Sequence, residues 1–224
     1  MRAALLPIGR SEIELLEPID AEGGVAKFLA RRGEGLHHVC FETPDVAVEL
    51  AAARGQGFPV IDEAPRPGLA GMICFLHPKG TRGVLVEFAT PPAGEPAHPL
   101  PVSGPLAGLA LREVTARCRE PASAAELFAT KLGLAPDIAL SEPGVVAAAV
   151  QTGEVRLRFV APAGGAEAQA GDGLSALVLE VDDVEVAAGV LAARGPVREA
   201  DGFQLAPAAC LGVPLTFRGE PAAR

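Results

Sequence analysis

Tryptophan and tyrosine are absent from the 224 residues, and the aromatic complement is nine phenylalanines. A binder of single-stranded nucleic acid needs stacking aromatics along a basic groove. Neither is present: 19 Lys and Arg stand against 28 Asp and Glu, a net charge of −9. That acidic balance favours solubility and still allows a locally basic pocket for an anionic ligand. The four cysteines, Cys40, Cys74, Cys118 and Cys210, are far apart and show no CxxC spacing, which argues against a zinc finger or a redox pair. Cys40 and Cys74 lie in apolar, strand-like runs and are expected as buried thiols. No apolar run approaches the roughly 20 residues of a membrane helix. Pro7, Gly9 and Arg10 interrupt the N-terminal apolar stretch, against a signal peptide. The expectation is a cytoplasmic protein with neither nucleic-acid nor membrane partners.

What is present is a large apolar fraction, 49%, without long polar low-complexity tracts. The chain is long enough for one large domain or two small ones, with cores of Ala, Val and Leu. The Pro- and Gly-dense stretch TPPAGEPAHPLPVSGPLAG, 90–108, forbids continuous helix or sheet and reads as a linker. It divides the sequence into a domain at 1–90, a linker at 91–105 and a domain at 106–224.

Within these parts one unit recurs. Residues 33–55 read GEGLHHVCFETPDVAVELAAARG, and 171–195 read GDGLSALVLEVDDVEVAAGVLAARG. Both give Gly-acid-Gly-Leu, a strand, an acidic turn and an Ala-rich helix ending in Ala-Arg-Gly. Residues 110–134 repeat the order more weakly. In the first copy Val39 and Phe41 alternate with His38, Cys40 and Glu42, a period of two. Thr43 then reads as the N-cap of a helix with Pro44 at its first position, and Val46, Leu50 and Ala53 share one face. Strands at 72–77 and 83–89 follow, joined by the turn PKGT. The unit is βαβββ, and it accounts for 33–90, 106–162 and 171–219. Residues 1–32 supply only the last two strands of a truncated first unit, at 2–8 and 11–17, and a short helix at 21–32. The fold class is therefore α+β, with tandem βαβββ units.

On alternating strands Ile13, Leu15, Val39, Phe41, Val86 and Phe88 are expected under the helices, and Glu14, His38 and Glu87 on the opposite face. Carboxylates turned into a cleft need a partner or an ion. One imidazole with carboxylate oxygens suits a divalent ion, Co, Mn, Ni or Zn, with positions left open for substrate. Pattern alone also fits a solvent-facing glutamate and a satisfied core histidine.

The strings EIELLEPI (12–19), VAKFLARRGEGLHHVCFE (25–42), DEAPRPG (62–68) and FLHPKGTRGVLVEF (75–88) resemble, in order and spacing, methylmalonyl-CoA epimerases of the vicinal oxygen chelate (glyoxalase/bleomycin resistance) superfamily. The resemblance covers about 1–90; residues 106–219 resemble only the superfamily fold. It implies that paired units enclose a cleft, that His38 and Glu87 are metal ligands, and that Glu14 stands near the metal. Glu87 also takes the catalytic carboxylate's place. His37 is a supporting or structural residue. His77 and Lys79 lie at a turn near the cleft; Lys79 fits either a substrate phosphate or carboxylate, or a plain turn. The implied activity is racemisation at C2 of a 2-carboxyacyl-CoA, in which a divalent ion stabilises the enolate left by proton removal. The alternatives are a glyoxalase I-type lyase or isomerase, and a metal-free, resistance-type binding protein. A homodimer fits a fold whose units are often shared between protomers.

Two departures qualify this. The family's first metal histidine lies on an opening strand that the chain as given lacks, so the implied site is incomplete. Arg2 falls near the position of a second acid–base carboxylate, so no second base is assigned. In the second half Ala176 aligns with His38, Thr216 with Glu87, Arg158 with Glu14, and Glu113 with the missing histidine. A metal-free second domain, mainly scaffold, is expected there. The unit's usual length places roughly 45 residues ahead of Met1, with an internal codon recorded as the start. Sequencing the native N-terminus should find them, and a mature chain beginning at Met1 would overturn the idea.

Overall fold

The computed structural model describes residues 1–94, 104–137, 146–162 and 171–219. The chain opens with a hairpin, β1 (Arg2–Ile8) and β2 (Ser11–Glu17), and a helix, α1 (Gly24–Arg32). Gly9 turns the hairpin at φ +59, a conformation that costs glycine little. Three βαβββ modules follow. The first is β3 (Val39–Glu42), α2 (Val46–Gly55), β4 (Arg66–Gly68), β5 (Gly71–Leu76) and β6 (Val86–Thr90). The second is β7 (Ala110–Arg117), α3 (Pro121–Leu132), β8 (Ala135–Asp137), β9 (Ala147–Thr152) and β10 (Val155–Val160). The third is β11 (Gly173–Val181), α4 (Val184–Val190), β12 (Val197–Glu199), β13 (Gly202–Leu205) and β14 (Leu215–Gly219). Each module orders its strands alike: the first beside the last, then the third, then the second. No described helix is long and apolar enough to cross a membrane.

The compact units group these modules differently from a cut along the sequence at 91–105. The described residues within 1–36, 98–114 and 175–224 form one unit, and those within 37–97 and 115–174 the other. Residues 95–103 of the linker lie outside the described residues. In the first unit Ile8 packs into the core of the third module with Leu179, Val181, Phe203, Leu205 and Phe217, and Ile13 lies against that core. Phe203 and Phe217 stack at 4.7 Å. In the second unit, side chains join the first and second modules. Arg82 donates to Ser123 Oγ at 2.7 Å, and Lys131 Nζ to the Gln56 carbonyl at 3.3 Å. Burial of Leu76, Val84, Val86, Phe128, Val150, Leu157 and Phe159 builds its core.

Local chemistry explains the helices. On α2, Val46, Leu50 and Ala53 are buried on one face, as their spacing predicts. The cap differs from expectation. Asp45, not Thr43, is the N-cap, because it holds the extended backbone and its carboxylate accepts from the Ala47 and Val48 N–H groups at 2.8 and 3.4 Å. The helix therefore begins beyond Pro44, and the Thr43 hydroxyl donates to Glu49 instead. Asp183 caps α4 in the same way, accepting from Glu185 and Val186.

Two burial expectations also change. Leu15 is 41% exposed, because its hairpin is only two strands wide and α1 buries none of its own residues. Cys40 is exposed on the side of the sheet away from α2, whereas Cys74 is fully buried beneath that helix.

Two measurements check these points. Asp45→Ala should destabilise the protein by about 1 kcal/mol in urea denaturation. A thiol reagent at pH 8 should label Cys40 well before Cys74 and Cys118. Burial pushes the pKa of both of those thiols up to about 11, so they stay in the unreactive thiol form.

Candidate metal centre

The centre of the first module is the parallel ladder of β3 on β6. Its register places Cys40 opposite Glu87 and Val39 opposite Val86. β5 lies on the other side of β6, antiparallel, with Phe75 opposite Glu87. Paired residues share a face, and residues two apart on a strand do also. His38, Cys40, Phe75 and Glu87 thus project from one side. Val39, Phe41, Cys74, Val86 and Phe88 project from the other, towards α2.

On the first side His38 Nε2 meets Glu87 Oε2 at 2.9 Å, with only 9% and 6% of the two side chains exposed. Two side chains flank the imidazole, and a backbone bond fixes the strand that follows it. His37 Nδ1 lies 3.1 Å from His38 Nδ1. The Phe75 ring meets the imidazole edge-on, at 5.6 Å between centroids. The Val39 N–H donates to the Leu85 carbonyl at 3.1 Å and anchors the start of the strand. With Nε2 at 2.9 Å from a carboxylate oxygen, His38 donates its Nε2 proton to Glu87, and a bound ion would take the place of that proton on Nε2.

An imidazole nitrogen and a carboxylate oxygen at this distance, both nearly out of solvent, form a donor pair suited to a divalent transition ion. Neither group is a comfortable neighbour for apolar side chains unless it is paired or bound to an ion. The residues present therefore fit a divalent metal.

The other expected site residues stand as follows. Glu14 lies in the middle of β2 in the other compact unit, half-buried and paired with Leu5. His77 closes its own turn, its Nδ1 accepting the Lys79 N–H at 3.1 Å, and Lys79 is exposed. Phe75, Asp62 and Arg66 were not singled out from sequence. The alternation in ICFLH, which puts Phe75 on the face of Ile73, was the signal for the first of them.

The third module repeats the ladder without the donors. β11 runs parallel to β14 with Val178 opposite Thr216, the register of Cys40 opposite Glu87. Thr216 is buried and accepts from Gln204 Nε2 at 3.4 Å, a neutral pair where the first module has a carboxylate. Arg156, on the second module's last strand, is paired to Asp137 at 2.6 Å.

The family model for the glyoxalase/bleomycin resistance protein/dioxygenase superfamily matches residues 1–75. The chain belongs to that superfamily. Among relatives, the uncharacterized protein YqjC of Bacillus subtilis (strain 168) is 38% identical over 92 residues, 41% of this chain and 66% of that protein. The mitochondrial methylmalonyl-CoA epimerase of Dictyostelium discoideum is 35% identical over 80 residues, 35% of this chain and 48% of that protein. The chain thus spans about half to two thirds of the length of these curated relatives. A variant of 4-hydroxymandelate synthase from Streptomyces coelicolor is 16% identical, with a TM-score of 0.70, over 99% of this chain and 81% of that one. At that identity the likeness is one of fold alone, and it runs along nearly the whole chain.

The buried pair gives a stability prediction. In the presence of a chelator, Glu87→Ala should lose about 1–3 kcal/mol in urea denaturation, because His38 is left without its partner. Glu87→Gln, which keeps an acceptor oxygen, should lose less.

Proposed function

We propose that the chain carries the metal half-site of an epimerase acting at C2 of a 2-carboxyacyl-CoA, with methylmalonyl-CoA as the preferred substrate. The observation that carries this reading is the His38–Glu87 pair, 2.9 Å apart and nearly buried, within the GLHH and GVLVE strings. Sequence likeness over this same part of the chain to proteins named methylmalonyl-CoA epimerase supports it.

In this reading His38 and Glu87 hold a divalent ion, and Glu14 is a further carboxylate donor. The bound ion would supply a positive charge against the enolate oxygens that form when the C2 proton leaves. The acidity of that proton comes from the substrate, where C2 lies between a thioester and a carboxylate. The protein's task is to orient the two carbonyl groups and to move the proton. Glu87 is the carboxylate assigned to that transfer, and His37 and Phe75 keep the His38 ring from turning away. His77 and Lys79 border the site as contacts for the anionic substrate.

Purified protein loaded with Co, Mn, Ni or Zn should hold the metal stoichiometrically. It should also exchange the C2 proton of methylmalonyl-CoA with solvent deuterium. His38→Ala should weaken metal affinity more than about 100-fold, beyond the usual loss for a group supporting a ligand. Glu14→Ala should weaken it too, although Glu14 lies on a different strand. A protein that takes up no metal after loading would sink the enzyme reading. Metal uptake without proton exchange would point to lyase chemistry on a thiol adduct.

A further inference from the structure

The segment DEAPRPG, Asp62–Gly68, is one of the strings that carry the resemblance but has so far been given no role in the site, yet it is closely tied to the His38 side of the sheet. The Ile61 N–H donates to the Phe75 carbonyl, and the Phe75 N–H donates to Asp62 Oδ2, each at 2.9 Å. Arg54, in the last turn of α2, donates to the carbonyls of Asp62 and Glu63. The other oxygen of Asp62 accepts from Arg66 Nε at 2.8 Å. Arg66 opens β4 opposite Ile73, on the face that Ile73 shares with Phe75. Its guanidinium lies over the Phe75 ring at 5.5 Å, and that ring touches His38 edge-on.

Arg66 is thus a cation fixed at three points: by a carboxylate, by an aromatic face and by a loop pinned through its own backbone. Its side chain is still 49% exposed. Among the described residues its hydrogen bond is made through Nε, which leaves the two Nη amino groups to act as a fork for a ligand. A guanidinium held in this way has lost little freedom still to be given up on binding, and its fork matches a carboxylate or a phosphate.

We propose that Arg66 is a substrate-binding residue that receives an anionic oxygen group of the ligand held at His38 and Glu87. The proposal rests on the reading of that site as one for an acyl-CoA, and it names the acyl carboxylate or a coenzyme A phosphate as the group received. Asp62 is its positioning residue.

The test uses the metal-loaded full chain. Arg66→Ala should raise KM for methylmalonyl-CoA by about tenfold, the loss of one charge-assisted contact, with kcat changed less than about twofold. Arg66→Lys should recover only part of the loss, since an ammonium lacks the fork and the stacking plane. Metal stoichiometry should stay at the wild-type value. If the alanine variant does not fold, Arg66→Gln takes its place. Inhibition by propionyl-CoA, which lacks the acyl carboxylate, separates the sources. Inhibition weakened equally in the variant identifies a phosphate, and unchanged inhibition identifies the carboxylate. An unchanged KM overturns the proposal while leaving the epimerase reading intact. If the wild type shows no proton exchange, calorimetric binding of malonate and, separately, of coenzyme A decides. Affinity for either that depends on Arg66 supports the anion site without the epimerase. Affinity for both that does not, or no binding of either, overturns it.

Discussion

The parallel ladder of β3 on β6 brings the two donors together. His38 and Glu87 are 49 positions apart in sequence, and the pairing of Cys40 with Glu87 places both on one side of the sheet. A slip of one residue in that register would turn Glu87 under α2 and Phe88 into the open face. Burial of Val86, Phe88, Leu50 and Ala53 on the helix side opposes such a slip. The apolar packing of one face thus secures the polar geometry of the other. The hydrogen bond from the Val46 N–H to Thr90 Oγ1, at 2.8 Å, ties the start of the helix to the end of the same strand.

The third module separates the part of the motif that builds the fold from the His38–Glu87 pair. Gly-acid-Gly-Leu, the parallel ladder, and an Asp cap on an Ala-rich helix are all kept there. Serine and alanine replace the two histidines, and threonine replaces the glutamate. Thr216 with Gln204 satisfies the same buried place without charge. A neutral hydrogen-bonded pair avoids the desolvation penalty of a buried carboxylate, so the module keeps its fold once the donors are gone.

Much of this was legible in the chain itself. The period-two alternation around His38, the helical spacing of Val46, Leu50 and Ala53, and the repeated Ala-Arg-Gly ends made the βαβββ unit readable, because burial of one face writes its period into the sequence. GLHH and GVLVE pointed to His38 and Glu87 only through the family resemblance, since alternation gives their shared face and not their role. The cap was misread because Thr43 and Asp45 are both good caps, and only the backbone conformation at Asp45 separates them. Leu15 and Cys40 were misread because alternation tells which residues share a side, not whether that side is covered.

Sequence alone therefore determined the repeating unit and the faces of its strands, both consequences of local periodicity, while the roles proposed for His38 and Glu87 came from the family resemblance. Tertiary structure decided how modules group into compact units, since Ile8 finds its apolar partners in the third module, far along the chain. It also decided that Phe75 stands beside His38 and that Arg66 lies over the Phe75 ring. Those contacts depend on the β4–β5–β6 register and on the loop that Asp62 and Arg54 hold, and no spacing in a linear chain encodes where two strand edges meet.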